Sequence, residues 1–186
     1  EPEAVAVGTT WEDASRMHDK LTDLLVMALA CNQTRVFHMA LSAAVSNLRQ
    51  AGQSVALHEL THEEPIDAEL GYQIGATFFL ERTMGVFASL LAKLEAVREG
   101  DGTLLDHSLI MAVSESNLAK LHTLESLPMI VAGKGGGRWR SGQHIAGGGD
   151  SVTRVGLTLQ QAMGLPVGNW GTGANATNRS VPGLLV

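Results

Sequence analysis

The sequence predicts a three-layer α/β/α domain built around a mostly parallel sheet, and three observations lead there. Stretches of helical period alternate with short apolar runs in the order helix, strand, helix, strand, strand, helix. The run at residues 34–41 is almost continuously apolar, the pattern of a strand covered on both faces. Within residues 103–133, two apolar runs bracket a polar loop carrying Glu115 and His122. Buried strands of α/β proteins bring polar residues to their carboxyl ends in this way, where ligands bind.

The elements follow in order. Residues 1–8 read as a loose lead-in, after which Thr9 and Glu12 have the spacing of a capping box. A helix over residues 11–30 follows, with Met17, Leu21, Leu24, Leu25, Ala28 and Leu29 as its buried stripe. Cys31-Asn32-Gln33 ends it, and Cys31 reads as a small buried residue. Residues 34–41 form the first strand, with His38 a hydrogen-bonded core histidine, and residues 42–50 a short helix stopped by Gly52. Residues 54–60 are ambiguous between strand and helix. Asp67 is the N-cap of a long helix reaching about residue 98, with Leu70, Ile74, Phe78, Met84, Phe87, Leu91 and Leu94 on one face. Gly71 and Gly75 suit close packing against a neighbour. Gly100-Asp101-Gly102 is a turn, residues 105–113 the second strand, residues 118–124 a helical turn and residues 128–132 the third strand. Ser151 or Thr153 caps a last helix through Met163, with Gly164 beyond it. Residues 167–186 form an extended tail held by Trp170, Leu184 and Leu185, so that residues 1–186 make one domain.

Composition narrows the function. Of 186 residues, 45% are apolar and 17% charged, which suits a globular domain with a sizeable core. A net charge of -6 gives no pull toward nucleic acid or an anionic membrane, and 4% aromatics leave little for base stacking. Cys31 is the only cysteine, so no internal disulfide forms. No run reaches the ~18 apolar residues of a membrane span. Glu1-Pro2-Glu3 lacks the basic start of a signal peptide, and without an initiator Met the chain reads as a trimmed or partial product. Gly133-Lys134-Gly135-Gly136-Gly137-Arg138 resembles a phosphate loop only in part. The Walker pattern needs Gly-Lys-Ser/Thr opening a helix, and here three glycines follow the lysine.

Two constellations compete for the chemistry. His58-Glu59-Leu60-Thr61-His62 matches H-E-x-x-H, in which two imidazoles one helical turn apart bind zinc and the glutamate is the base. Eighteen residues, 63 to 80, separate His62 from Glu81, a spacing some zinc aminopeptidases use for the third ligand. Against a helix there, Pro65 follows closely and disfavours helical backbone just before it. Glu81 also reads as a surface pair with Arg82. The second constellation is Glu115 with His122, joined by His58 and His62 as loop ligands for one or two divalent ions, set against a plain polar loop.

Resemblance adds a family. Leu104-Leu105-Asp106-His107-Ser108-Leu109-Ile110-Met111-Ala112-Val113-Ser114-Glu115 resembles a conserved segment of the exported bacterial family known as domain of unknown function fifteen-fifty-two. Residues 24–36, 100–105, 127–137, 140–144 and 157–164 are similar to other segments of that family in the same order. The resemblance implies that the chain is the C-terminal part of a longer domain, distantly related to alkaline phosphatases and sulfatases. It also implies a periplasmic or extracellular location. By that carry-over Glu115 stands for a metal-binding carboxylate, while Ser116 departs from the usual His or Asn, and His122, His58 and His62 match more loosely.

The sequence and the resemblance together therefore predict an alkaline-phosphatase-like α/β/α domain, partial and catalytically incomplete by itself. Its expected function is a metal-dependent phosphate- or sulfate-ester hydrolase using zinc, calcium or magnesium on a small-molecule ester. The alternatives are a zinc metallopeptidase with ligands His58, His62 and Glu81 and base Glu59, and a non-enzymatic binding or assembly module. Homo-oligomers are compatible with either, through a sheet edge left unpaired.

Overall fold

The structure is a computed structural model that describes residues 8–186. The lead-in expected over residues 1–8 lies outside the described residues up to position 7. The chain divides into two compact units, Glu1–Lys93 with Leu118–His122, and Leu94–Asn117 with Thr123–Val186.

The first unit opens with α1, Trp11–Ala30. Thr10 caps it: its hydroxyl accepts from Asp13 N and donates to Asp13 Oδ2 at 2.7 Å, while Glu12 and Asp13 complement the helix dipole. The cap thus sits one residue beyond the predicted Thr9, with Asp13 as partner in place of Glu12. Helix α1 buries Trp11 and Thr22, whereas Leu21, Leu24 and Met27 are exposed. Of the predicted apolar stripe Leu21 and Leu24 are exposed while Met17, Leu25, Ala28 and Leu29 are half-buried, and the buried core gathers Trp11, Leu48 and Phe79 with Leu41, Leu57, Leu60 and Val86 around them.

Residues 31–56 are irregular, and neither the strand predicted at 34–41 nor the helix at 42–50 forms. Hydroxyls compete for the backbone there. Thr34 Oγ1 donates to Val36 O at 2.8 Å, and Ser46 Oγ accepts from both Ser42 Oγ and Leu48 N. Val36 is 86% exposed, His38 is also exposed and Cys31 is an exposed free thiol, so the core roles predicted for these residues are overturned. The segment returns to α1 through Arg49, whose backbone pairs with Thr9 and Trp11.

Helix α2 is Leu57–Glu63 and α3 is Ile74–Glu95. The corner between them is tied by side chains. The Glu64 carboxylate accepts from Gly75 N at 2.6 Å and Ala76 N at 2.9 Å, so it caps α3, and Gln73 Nε2 donates to Leu60 O and Glu64 O. A Cβ on Gly75 would stand 3.0 Å from that carboxylate and 3.2 Å from the Leu60 side chain, so both would have to yield slightly to any larger residue. Asp67 accepts from Glu69 N and Leu70 N, capping a turn upstream of the helix. By length and composition alone α3 is long and apolar enough to cross a membrane, though it carries Glu81, Arg82 and Lys93.

In the second unit, β1 (Arg98–Glu99) pairs antiparallel with β2 (Gly102–Thr103) across the predicted turn. A capping box between Thr103 and Asp106 then starts the short helix α4, Leu104–His107, where the sequence predicted the beginning of a strand. Strand β3, Leu109–Val113, pairs antiparallel with β4, Met129–Gly133, from Leu109 opposite Gly133 to Val113 opposite Met129. Gly133 has φ +101°, and a Cβ there would lie 2.2 Å from Ser108 O. Helix α5, Thr153–Ala162, buries Leu157, Thr158 and Ala162. Residues 167–186 carry the 3₁₀ turn Gly173–Asn175 and are otherwise irregular, with backbone bridges between Trp170 and Thr177 and between Trp139 and Leu185.

These elements overturn the predicted fold class. Among the described residues both sheets are two-stranded and antiparallel, and helices dominate. A parallel pair needs a crossover connection, usually helical. Residues 114–128 carry only the 3₁₀ turn Ala119–Leu121, so β4 returns antiparallel to β3. The three-layer α/β/α, alkaline-phosphatase-like arrangement is not formed.

Candidate functional site

The motif His58-Glu59-Leu60-Thr61-His62 lies on α2, a helix after all. Pro65 does not prevent this, because the helix ends at Glu63 and Glu64 takes the extended backbone, ψ 128°, that a residue before proline prefers. Helical spacing puts His58 and His62 on one face, with ring centroids 4.7 Å apart and planes at 66°. Thr61 Oγ1 donates to His58 O inside this turn.

His122 reaches the same place from sixty residues away. It follows the 3₁₀ turn Ala119–Leu121 with φ 52° and ψ 39°, the left-handed region that a non-glycine residue enters at a cost of order 1 kcal/mol. Its ring centroid stands 5.1 Å from that of His62, edge to face, and the two Nε2 atoms are 3.4 Å apart. His58 and His62 are half-buried and His122 is exposed. Three imidazoles therefore run in series, His58, His62, His122. Among the described residues, no three or more His, Cys, Asp or Glu side chains already surround a common point as metal ligands would.

The carboxylates of the sequence analysis fall elsewhere. Glu59 is exposed on α2. Glu81 is on α3, lining a cleft against α1 with Trp11 and His18. Its predicted partner Arg82 instead lays its guanidinium 3.4 Å over the Phe78 ring and donates to Phe78 O. Glu115 is exposed in the bend after β3, within Leu94–Asn117.

The chain matches no family model, no curated protein and no solved structure.

Its chemistry is thus read from its own side chains. The most perturbed carboxylate is Asp106, held down to about 2 by the Lys134 ammonium at 2.8 Å and by the Thr103 hydroxyl and amide. That cluster closes the α4 cap onto the end of β4, which is a structural role. Sequence reasoning passed over His18, whose pKa is lowered by burial. No motif marks it, and the cleft wall opposite it is more than sixty residues away on α3.

Proposed function

We propose that the chain binds a borderline transition-metal ion, zinc foremost, through His62 and His122 with His58 as the third ligand. The 3.4 Å between the two Nε2 atoms carries this reading. Two nitrogens each 2.0–2.1 Å from a tetrahedral zinc stand about 3.3–3.4 Å from one another. The same separation is long for a hydrogen bond between imidazoles, whose usual range ends at about 3.2 Å. A turn of the adjacent His58 ring would add a third nitrogen. An imidazole-only set suits zinc, copper or nickel and is poor for calcium or magnesium, which prefer oxygen.

Hydrolysis is the second reading, favoured by the helical setting of the His58-Glu59-x-x-His62 motif. A bound zinc supplies Lewis acidity and lowers the pKa of its water to about 7. In that reading His58, His62 and His122 are the ligands in place of the set with Glu81, and Glu59, beside His58 on α2, accepts the proton. The ester substrate expected from the resemblance rested on the fold that the antiparallel sheets overturn, so no substrate is assigned. The family likeness and the periplasmic or extracellular location stand as parts of the proposal.

Equilibrium dialysis against zinc followed by elemental analysis tests the site. The wild-type chain and Glu115→Ala should retain one zinc per chain, and His62→Ala and His122→Ala should each lose it. Stoichiometric zinc in the His62→Ala/His122→Ala double variant would sink the proposal.

A further inference from the structure

Helices α1 and α3 are bridged at two places with a gap between the bridges. At one end Trp11 meets Phe79 edge to face, with centroids 6.1 Å apart. At the other, Lys93 Nζ donates to Asp19 Oδ1 at 2.5 Å and Asp23 Oδ1 at 2.6 Å. The cleft between these bridges is an open groove of about 430 Å³, with Asp19, Glu81, Arg82, Gly85 and Ser89 of its lining exposed to solvent.

The residues lining the cleft include several small ones, Ser15 on α1 and Gly85 and Ser89 on α3. Small side chains ordinarily let two helices approach closely, since interaxial distance follows the residues at the contact. Here nothing lies within 4 Å of where a Gly85 Cβ would stand, so packing does not explain a glycine inside a helix that alanine would stabilise. Gly85 therefore borders open space, into which only a long side chain at that position would reach.

The groups around that space are mainly acceptors. The Thr22 hydroxyl donates its proton to His18 O at 2.8 Å, so at 3.3 Å it can only accept from His18 Nδ1. The ring proton is thereby assigned to Nδ1, which leaves Nε2 a bare acceptor. Burial holds the His18 pKa below its ordinary value, keeping the ring neutral near pH 7. Glu81 adds a carboxylate beside the Arg82 guanidinium, which also lines the cleft and stands 3.4 Å over the Phe78 ring, so that Asp19, Asp23 and Glu81 are set against Lys93 and Arg82. Asp19 and Asp23 outnumber Lys93 at the far end. A site rich in acceptors and net negative selects a cationic donor.

We propose that the cleft between α1 and α3 binds a small organic ammonium compound, its cation donating to the Glu81 carboxylate and to His18 Nε2, its apolar part lying over Gly85. This site is independent of the three imidazoles.

The test is titration calorimetry of the whole chain with phenethylammonium chloride, using sodium phenylacetate as a control of equal size and opposite charge. Phenethylammonium should bind saturably and phenylacetate should not. Glu81→Gln should weaken the ammonium by about tenfold or more, as expected for a lost charged hydrogen bond. Gly85→Met should abolish binding by filling the cleft, with circular dichroism verifying that the helices persist. If Gly85→Met does not fold, Glu81→Gln decides the matter. No saturation, equal binding of the two probes, or undiminished binding by Glu81→Gln overturns the proposal.

Discussion

At the scale of single residues, Asp106 and Gly133 show how local chemistry fixes the second unit. Asp106 has a folded pKa of about 2 against an ordinary 3.8, because Lys134 and Thr103 both favour the carboxylate. A depressed folded pKa contributes stability that is fully present above the unfolded value and lost as pH falls toward the folded one. The thermal midpoint of the wild-type chain should therefore drop between pH 4 and pH 2 more steeply than that of Asp106→Asn, which has no such carboxylate to protonate. Parallel pH profiles in the two proteins would remove Asp106 from that role. Gly133 is constrained by sterics alone. At φ +101°, with Ser108 O in the place of a Cβ, Gly133→Ala must shift the backbone where β4 leaves the sheet. The expected loss is about 1–3 kcal/mol, read from urea unfolding. His122 takes a left-handed backbone too, but its side chain meets His62, so there the strain accompanies a candidate site.

At the scale of elements, the corner between α2 and α3 depends on the Glu64 carboxylate and its bonds to Gly75 N and Ala76 N. Glu64→Ala removes a cap, which ordinarily costs about 1 kcal/mol. Its signature should be local, with faster hydrogen exchange at the first amides of α3 and little change at those of α1. This corner also shows what was legible in the sequence. Helices α1 and α5 were, because period and stop signals agree over residues 11–30 and 153–162, although their caps fall elsewhere: Thr10 caps α1 in place of Thr9, and Val152 precedes α5 without a side-chain cap. The stretch at 34–41 was not, since an apolar run specifies a strand only where a partner strand is present. Its hydroxyls satisfy the backbone locally, and Val36 and His38 face solvent. The parallel sheet failed for the same reason: antiparallel pairing of β3 with β4 cannot be told from parallel pairing by apolar content. Of the candidate site, the helical pair His58 and His62 was legible from spacing. The sequence also grouped His122 with these two, but it set them on a loop together with Glu115, whereas they lie on α2 and Glu115 falls in the second unit. The Glu64 cap was not legible, because it joins residues that are far apart along the chain.

For the molecule as a whole, division into two compact units makes the zinc proposal testable by where stability is gained. A ligand that binds only the folded state stabilises the cooperative unit holding its site, by about 2.7 kcal/mol at a free concentration one hundred times Kd. His58, His62 and His122 all belong to the first unit, since Leu118–His122 clusters with Glu1–Lys93. The three tryptophans divide usefully, because Trp11 is in the first unit while Trp139 and Trp170 are in the second. A Trp139→Phe/Trp170→Phe variant leaves Trp11, buried against Phe79, as the one indole reporter. Its fluorescence-detected midpoint should rise with zinc, return after chelation with EDTA and stay fixed in a His62→Ala background. Because imidazole ligands must be neutral to bind a metal, the rise should shrink as the buffer is made acidic. A zinc-dependent rise that survives His62→Ala would place the metal elsewhere. No rise at all in a protein that retains zinc on dialysis would mean that the ion binds the unfolded chain equally well.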